Sequence, residues 1–90
     1  MKVIELDGRR MDSRAMAHKY LKQALGLPEY YGENLDALAD CLSELTEVRI
    51  ILRYPGAMQN QLGEYARGII RVFEDAAVNR RDFLFQMKRS

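Results

Sequence analysis

Positions 29–47 hold six acidic residues, Glu29, Glu33, Asp36, Asp40, Glu44 and Glu47, and no Lys or Arg. Carboxylates at this density can pair with cations on another molecule, recruit a hydrated divalent metal, or exchange protons in a pocket that raises one pKa. At 3.6 residues per turn, Asp36, Asp40, Glu44 and Glu47 fall within an arc of about 80° on a helix. Leu35, Leu38, Leu42 and Leu45 lie roughly opposite, with Cys41 beside them. Such a helix packs one side inward and presents a nearly all-acidic face. Its like charges four residues apart oppose helix formation by a few tenths of a kcal/mol per pair. The helix dipole favours Asp36 but not Glu47 at the far end. Two readings stay open: a solvated face that happens to be acidic, or a docking surface for a basic partner.

The other chemistries lack supporting groups. One histidine and one cysteine exclude a His/Cys metal cluster within the chain. No phosphate-cradling glycine loop accompanies Asp36, Asp40 and Glu44, and no second ligand group supports Mg²⁺ there. The sequence therefore predicts no metal, no cofactor and no catalysis. His18 lies off the apolar side of its helix and reads as a solvated or rim residue. Cys41 adjoins the leucine stripe and reads as a small core hydrophobe. Tyr30 and Tyr31 precede the acidic helix beside Gly32; rings flanked by carboxylates suit a protein interface, with at least one ring packing inward.

Helices and strands must hold these groups. Val3, Ile4 and Leu6 form a first strand closed by Asp7–Gly8. Asp12 or Ser13 can cap a helix to about Leu25 that buries Met16, Ala17, Tyr20, Leu21, Ala24 and Leu25, with Gly26 as its stop. Asn34 is the best cap for the acidic helix, Leu35 to about Leu45. Val48–Tyr54 reads as a strand covered on both faces, as in a parallel sheet. The Pro55–Gln61 region reads as a loop with at most a helical turn. A longer helix then runs to about Ala77, buried through Leu62, Tyr65, Ala66, Ile69, Ile70, Phe73 and Ala77, with Gly68 permitting close packing. Glu74 is placed to meet Arg67 or Arg71. Phe83, Leu84, Phe85 and Met87 give the last strand, and Lys88–Arg89 fray. Each path between strands contains a helix, which favours parallel pairing. The expected fold is α/β: one small domain over residues 1–90, a three-stranded parallel sheet packed with three or four helices.

Composition agrees. Ninety residues make one domain, and 48% apolar with 30% charged residues is a globular balance. The net charge of +1 hides a partition: −6 over residues 29–47, +3 before them and +4 after. Net charge gives no reason to expect nucleic acid, and the C-terminal arginines lack interleaved aromatics. A single cysteine fits a reducing compartment, and charges interrupt every apolar stretch of residues 1–27. The expected setting is the cytoplasm, with no membrane contact.

The segment Leu27-Pro-Glu-Tyr-Tyr-Gly-Glu-Asn-Leu-Asp-Ala-Leu-Ala-Asp-Cys-Leu42 closely resembles the signature of the barstar family, intracellular inhibitors of barnase-like guanyl-specific ribonucleases. Weaker similarity runs over the whole chain. The resemblance implies a small α/β domain with a three-stranded parallel sheet, free as a monomer and bound 1:1 to a basic ribonuclease or nuclease toxin domain. By position it makes Asp40 the central anion facing the enzyme's catalytic Arg and His groups, with Asp36 as the second acid. Tyr30 would pack on the catalytic His, and Gly32, Asn34 and Leu35 would add shape and backbone contacts. Tyr31, Ala39 and Glu44 complete the expected surface, and Asp75 matches an acidic rim position. Ala39 and Leu45 stand where the family's best-known pattern has tryptophans, Glu44 replaces a glycine, and Arg49 replaces a proline, so no cis-proline is expected there. The alternative is an interaction or immunity domain on the same scaffold that binds a partner other than a ribonuclease.

Overall fold

The computed structural model describes Met1–Ser90. Strand β1 (Lys2–Asp7) passes through a 3₁₀ turn at Gly8–Arg10 to helix α1 (Arg14–Leu25). Helix α2 (Leu35–Glu44), strand β2 (Val48–Arg53), helices α3 (Pro55–Leu62) and α4 (Glu64–Ala77) and strand β3 (Phe83–Lys88) follow. The three strands pair in parallel in the order β1-β2-β3, with Ile4, Ile50 and Phe85 in register. Every peptide bond is trans.

Two crossovers that step the same way across a parallel sheet put their helices on one face. The core accordingly takes Val48, Ile50 and Leu52 from β2, and Phe83 from β3. This corrects the expectation of a strand covered on both sides. Ile51 is buried, yet it stands outside that core on the opposite face, flanked in register by Glu5 and Gln86. Val3 on the same uncovered face is exposed.

The caps are local chemistry. The Ser13 hydroxyl accepts the Met16 amide at 3.2 Å, and Gly26 ends α1 in left-handed geometry. The Asn34 side-chain oxygen accepts the Ala37 amide at 2.7 Å and so opens α2. Pro55 starts a true helix where a loop was expected. Its fixed φ and missing N–H suit the first helical position, and Tyr54 makes the turn before it at φ 55°. Leu62 therefore belongs to α3, and Gly63, at φ 59° and ψ −135°, separates the two helices. Gly68 brings α4 close to α2: a Cβ there would lie 2.7 Å from Leu35 Cδ1.

Lys88, expected to fray with Arg89, is instead paired in the sheet. Its carbonyl accepts the Tyr54 amide at 3.1 Å, and Arg53 Nε donates to the Ser90 carbonyl at 2.6 Å. Glu74 makes no ion pair with Arg67 or Arg71; the ion pairs are Arg9–Asp7, Lys22–Glu29, Arg53–Glu5 and Arg80–Asp82.

Arg80 has a role that no local pattern signals. Its guanidinium donates to the Leu42 carbonyl at 3.0 Å and to the Leu45 carbonyl, while Nε donates to Asp82 at 3.0 Å. A helix leaves its last four carbonyls without partners, and α2 has no basic residue in its last turn. Arg80 supplies that cation from 35 residues or more downstream. Because hydrogen bonds from a charged donor are worth about 1.5–3 kcal/mol each, Arg80→Ala should cost about 2–4 kcal/mol. Urea unfolding followed by circular dichroism checks this, with an expected fall in midpoint of about 1–3 M.

Candidate functional site

The leucine stripe decides which way α2 faces. Leu38 and Leu42 are fully buried, while Leu35, Cys41 and Leu45 are partly covered. This rotation leaves Asp36, Ala39, Asp40, Ser43 and Glu44 in solvent. Asp36, Asp40 and Glu44 follow one another at intervals of four residues, one above the next. No Lys, Arg or His nitrogen lies within 4 Å of any of them. Of the six acids in 29–47, Glu29 alone has an ion pair, to Lys22 at 3.4 Å.

Glu47 leaves the acidic arc predicted for it. The helix ends at Glu44, Leu45 is extended, and Glu47 sits at φ 54° on the way into β2. No three His, Cys, Asp or Glu side chains converge to hold a metal ion. Burial, together with Glu44 and Asp40, pushes the Cys41 thiol above its ordinary pKa, which keeps it protonated and weakly nucleophilic.

The tyrosine pair divides its labour. Tyr30 is 83% exposed, whereas Tyr31 is 5% exposed and faces the core. Tyr31 was expected on the binding surface; it is instead committed to the interior. Its hydroxyl lies 2.6 Å from Nδ1 of His18, and the Tyr65 hydroxyl lies 2.6 Å from Nε2 of the same ring. A neutral imidazole offers one N–H and one lone pair, so one hydroxyl accepts and the other donates. Burial raises the Tyr31 phenol above its ordinary pKa, so it stays protonated.

His18 is thus not the rim residue its position off the apolar stripe suggested. It is 2% exposed and joins α1, the 28–34 connection and α4. The buried arc of α1 is Ala17, His18, Leu21 and Leu25, while Met16 is exposed. A stripe at least 100° wide reaches one residue round from Ala17 in either direction. That width is the one signal in the sequence that could have admitted His18; the two tyrosine partners lie 13 and 47 residues away. The clasp fixes Tyr31 and with it the connection that carries Tyr30 and Asn34 into α2.

Ala39 and Asp75 come together across an open groove between α2 and α4. Gly32 is exposed at the turn before Asn34, whose side-chain amide donates to the Gly32 carbonyl at 3.2 Å. Leu35 is half-buried against Gly68 and offers only part of its surface to a partner.

Burial holds the His18 pKa below its ordinary value, with Glu33 opposing weakly. The unfolded chain therefore takes up this proton first, and folding stability falls as pH drops below about 6.5. Asp7 and Asp82, held by Arg9 and Arg80 below the usual carboxylate range, lose their contribution only at more acid pH. Between pH 7 and pH 5 the wild type should lose stability in urea titrations. His18→Gln should be less stable at pH 7 by about 1–3 kcal/mol and should flatten that slope.

Comparison with known proteins identifies the family. The sequence model of the family described as Barstar (barnase inhibitor) matches residues 1–89. Over 84 residues the chain is 34% identical to a Bacillus subtilis (strain 168) protein named "Putative ribonuclease inhibitor YrdF", covering 91% of this chain and 92% of that protein. Barstar-family proteins are inhibitors rather than enzymes, and they generally bind barnase-like ribonucleases. With its three-stranded parallel sheet, four packed helices and this match over nearly its whole length, the chain belongs to the barstar family.

Proposed function

We propose that this domain inhibits a secreted microbial ribonuclease by seating the acidic face of α2 in the enzyme's active-site cleft, protecting the cytoplasm of the producing cell. The observation that carries this reading is the row Asp36, Asp40, Glu44, exposed and unpaired on a helix hydrogen-bonded to side chains at both ends. A ribonuclease cleft must be cationic to bind phosphate and to stabilise the charge that develops on it. A carboxylate can occupy the phosphate position and offers no bond to cleave.

Asp40, in the middle of the row, is the central anion in this reading, and Asp36 is the second. Two desolvated acids are costly unless planar guanidinium groups meet them in bidentate pairs, and that requirement selects the partner. Tyr30 places a rigid ring on the enzyme's catalytic imidazole at low entropic cost. Gly32, Asn34 and the open side of Leu35 shape the contact, and Glu44 and Asp75 extend the negative field. The complex is 1:1, with the free inhibitor a monomer.

Inhibition of a panel of secreted guanyl-specific ribonucleases tests the proposal. Truncating one partner of a buried charge pair costs about 2–5 kcal/mol, so Asp40→Ala should raise the inhibition constant about 30-fold to several thousand-fold. Gln23→Ala, on the exposed side of α1, should leave it within about twofold. Raising salt from about 0.05 M to about 0.5 M should slow association and change dissociation little. Equal small effects of both substitutions in a folded protein would remove Asp40 from its anchoring role. Micromolar wild type that inhibits no enzyme of the panel would overturn the ribonuclease reading.

A further inference from the structure

Gly68 closes α4 onto α2 at Leu35, but the helices do not stay filled in beyond that point. One and two turns further along, α2 offers Ala39 and Ser43, and α4 offers Val72 and Ala76. These side chains are too short to fill the space between the helix axes. What remains is an open groove of about 540 Å³, with the exposed Val78 at its lip. Its volume is in the range of cavities that take a ligand group rather than a stray water.

The chemistry of the groove narrows its occupant. Arg80 lies at one end, but its charge is paired with Asp82 and four of its five N–H groups are taken by Asp82 and by the Leu42 and Leu45 carbonyls. The groove therefore offers no free cation for an anion. Asp75 stands on its α4 wall, and Asp40 is the next residue to Ala39 on the α2 wall; neither is ion-paired. Ala39, Val72, Ala76 and Val78 give the groove apolar walls, Ser43 and Thr46 add hydroxyls, and its unpaired charge is negative, which suits an aromatic side chain accompanied by Arg or Lys. The groove is also continuous with the acidic face, since Ala39 lines one and Asp40 belongs to the other.

The geometry points to a second contact for the same partner: an aromatic side chain of the ribonuclease, flanked by a basic residue, enters the α2–α4 groove at Ala39 while Asp40 occupies the catalytic cleft. This inference rests on the ribonuclease reading. It makes Ala39 a specificity-determining position, because a small residue there leaves room for the knob and a large one would fill its place. Aromatic anchors in well-packed pockets carry a disproportionate share of binding energy, which suits such a contact to partner choice.

The test uses the panel enzyme that wild type inhibits most tightly, with association and dissociation rates measured for four variants. Ala39→Trp and Ala76→Phe plug the groove from opposite walls, Asp75→Arg reverses the rim charge, and Asp40→Ala reports on the cleft contact. Thermal unfolding confirms that each variant folds; because Asp75 also extends the negative field of the cleft contact, faster dissociation of Asp75→Arg, not slower association, is the readout that counts for the groove. The groove contact predicts at least a tenfold loss of affinity in each folded plugging variant, expressed mainly as faster dissociation, and a similar loss in Asp75→Arg. Plugging variants and Asp75→Arg that bind within twofold of wild type, or more tightly, while Asp40→Ala is impaired would overturn the groove contact and leave the cleft reading standing. Unimpaired binding by Asp40→Ala would instead overturn the cleft reading, and this inference with it.

Discussion

Helix α2 carries three carboxylates down one exposed face, two of them beyond the turn where the helix dipole favours negative charge. Left to itself such a helix repels its own side chains and ends in unpaired carbonyls. The rest of the domain supplies what it lacks. Asn34 closes its first turn, Leu38 and Leu42 bury its back, and Arg80 brings a guanidinium to its last turn from the far side of α4. Because Arg80 is itself fixed by Asp82, it serves the backbone of α2 and does not reach round to neutralise the exposed acids. The domain thus stabilises an acidic helix without discharging its surface, which is the condition for offering that surface to a cationic partner.

The approach to α2 is held by a different chemistry. His18 is a polar ring in an apolar interior, tolerated because both nitrogens find tyrosine hydroxyls. The same clasp turns Tyr31 inward and leaves Tyr30 outside, so adjacent identical residues divide between anchor and contact. An interface built on a rigid loop loses less entropy on binding than one that must order itself. The single-faced sheet serves the same economy. Both crossovers put their helices on one side of the sheet, which concentrates the core behind α2 and α4.

Much of this was legible in order along the chain. The leucine spacing on 35–45, the Asn34 and Ser13 caps, the Gly26 stop and the three apolar strands are local signals, and each appears where its pattern lies. Pro55–Gly56 misled because the same dipeptide that ends a strand can begin a helix, and only the turn at Tyr54 decides between them. The run Ile50–Ile51–Leu52 looked buried on both sides because centre strands hide their side chains even on an uncovered face.

By itself the sequence determined the fold class, the acidic character and orientation of α2, and the family, because periodicity, capping and the Leu27–Leu42 signature are contained in contiguous residues. The tertiary structure alone decided the burial of His18 between Tyr31 and Tyr65, the capping of α2 by Arg80, the departure of Glu47 from the acidic face, and the groove between Ala39 and Asp75. Apart from Glu47, which a helix end of a few residues settles, each joins groups that lie far apart in sequence. No residue type predicts a partner 35 or 47 positions away until packing has brought the two within hydrogen-bond reach.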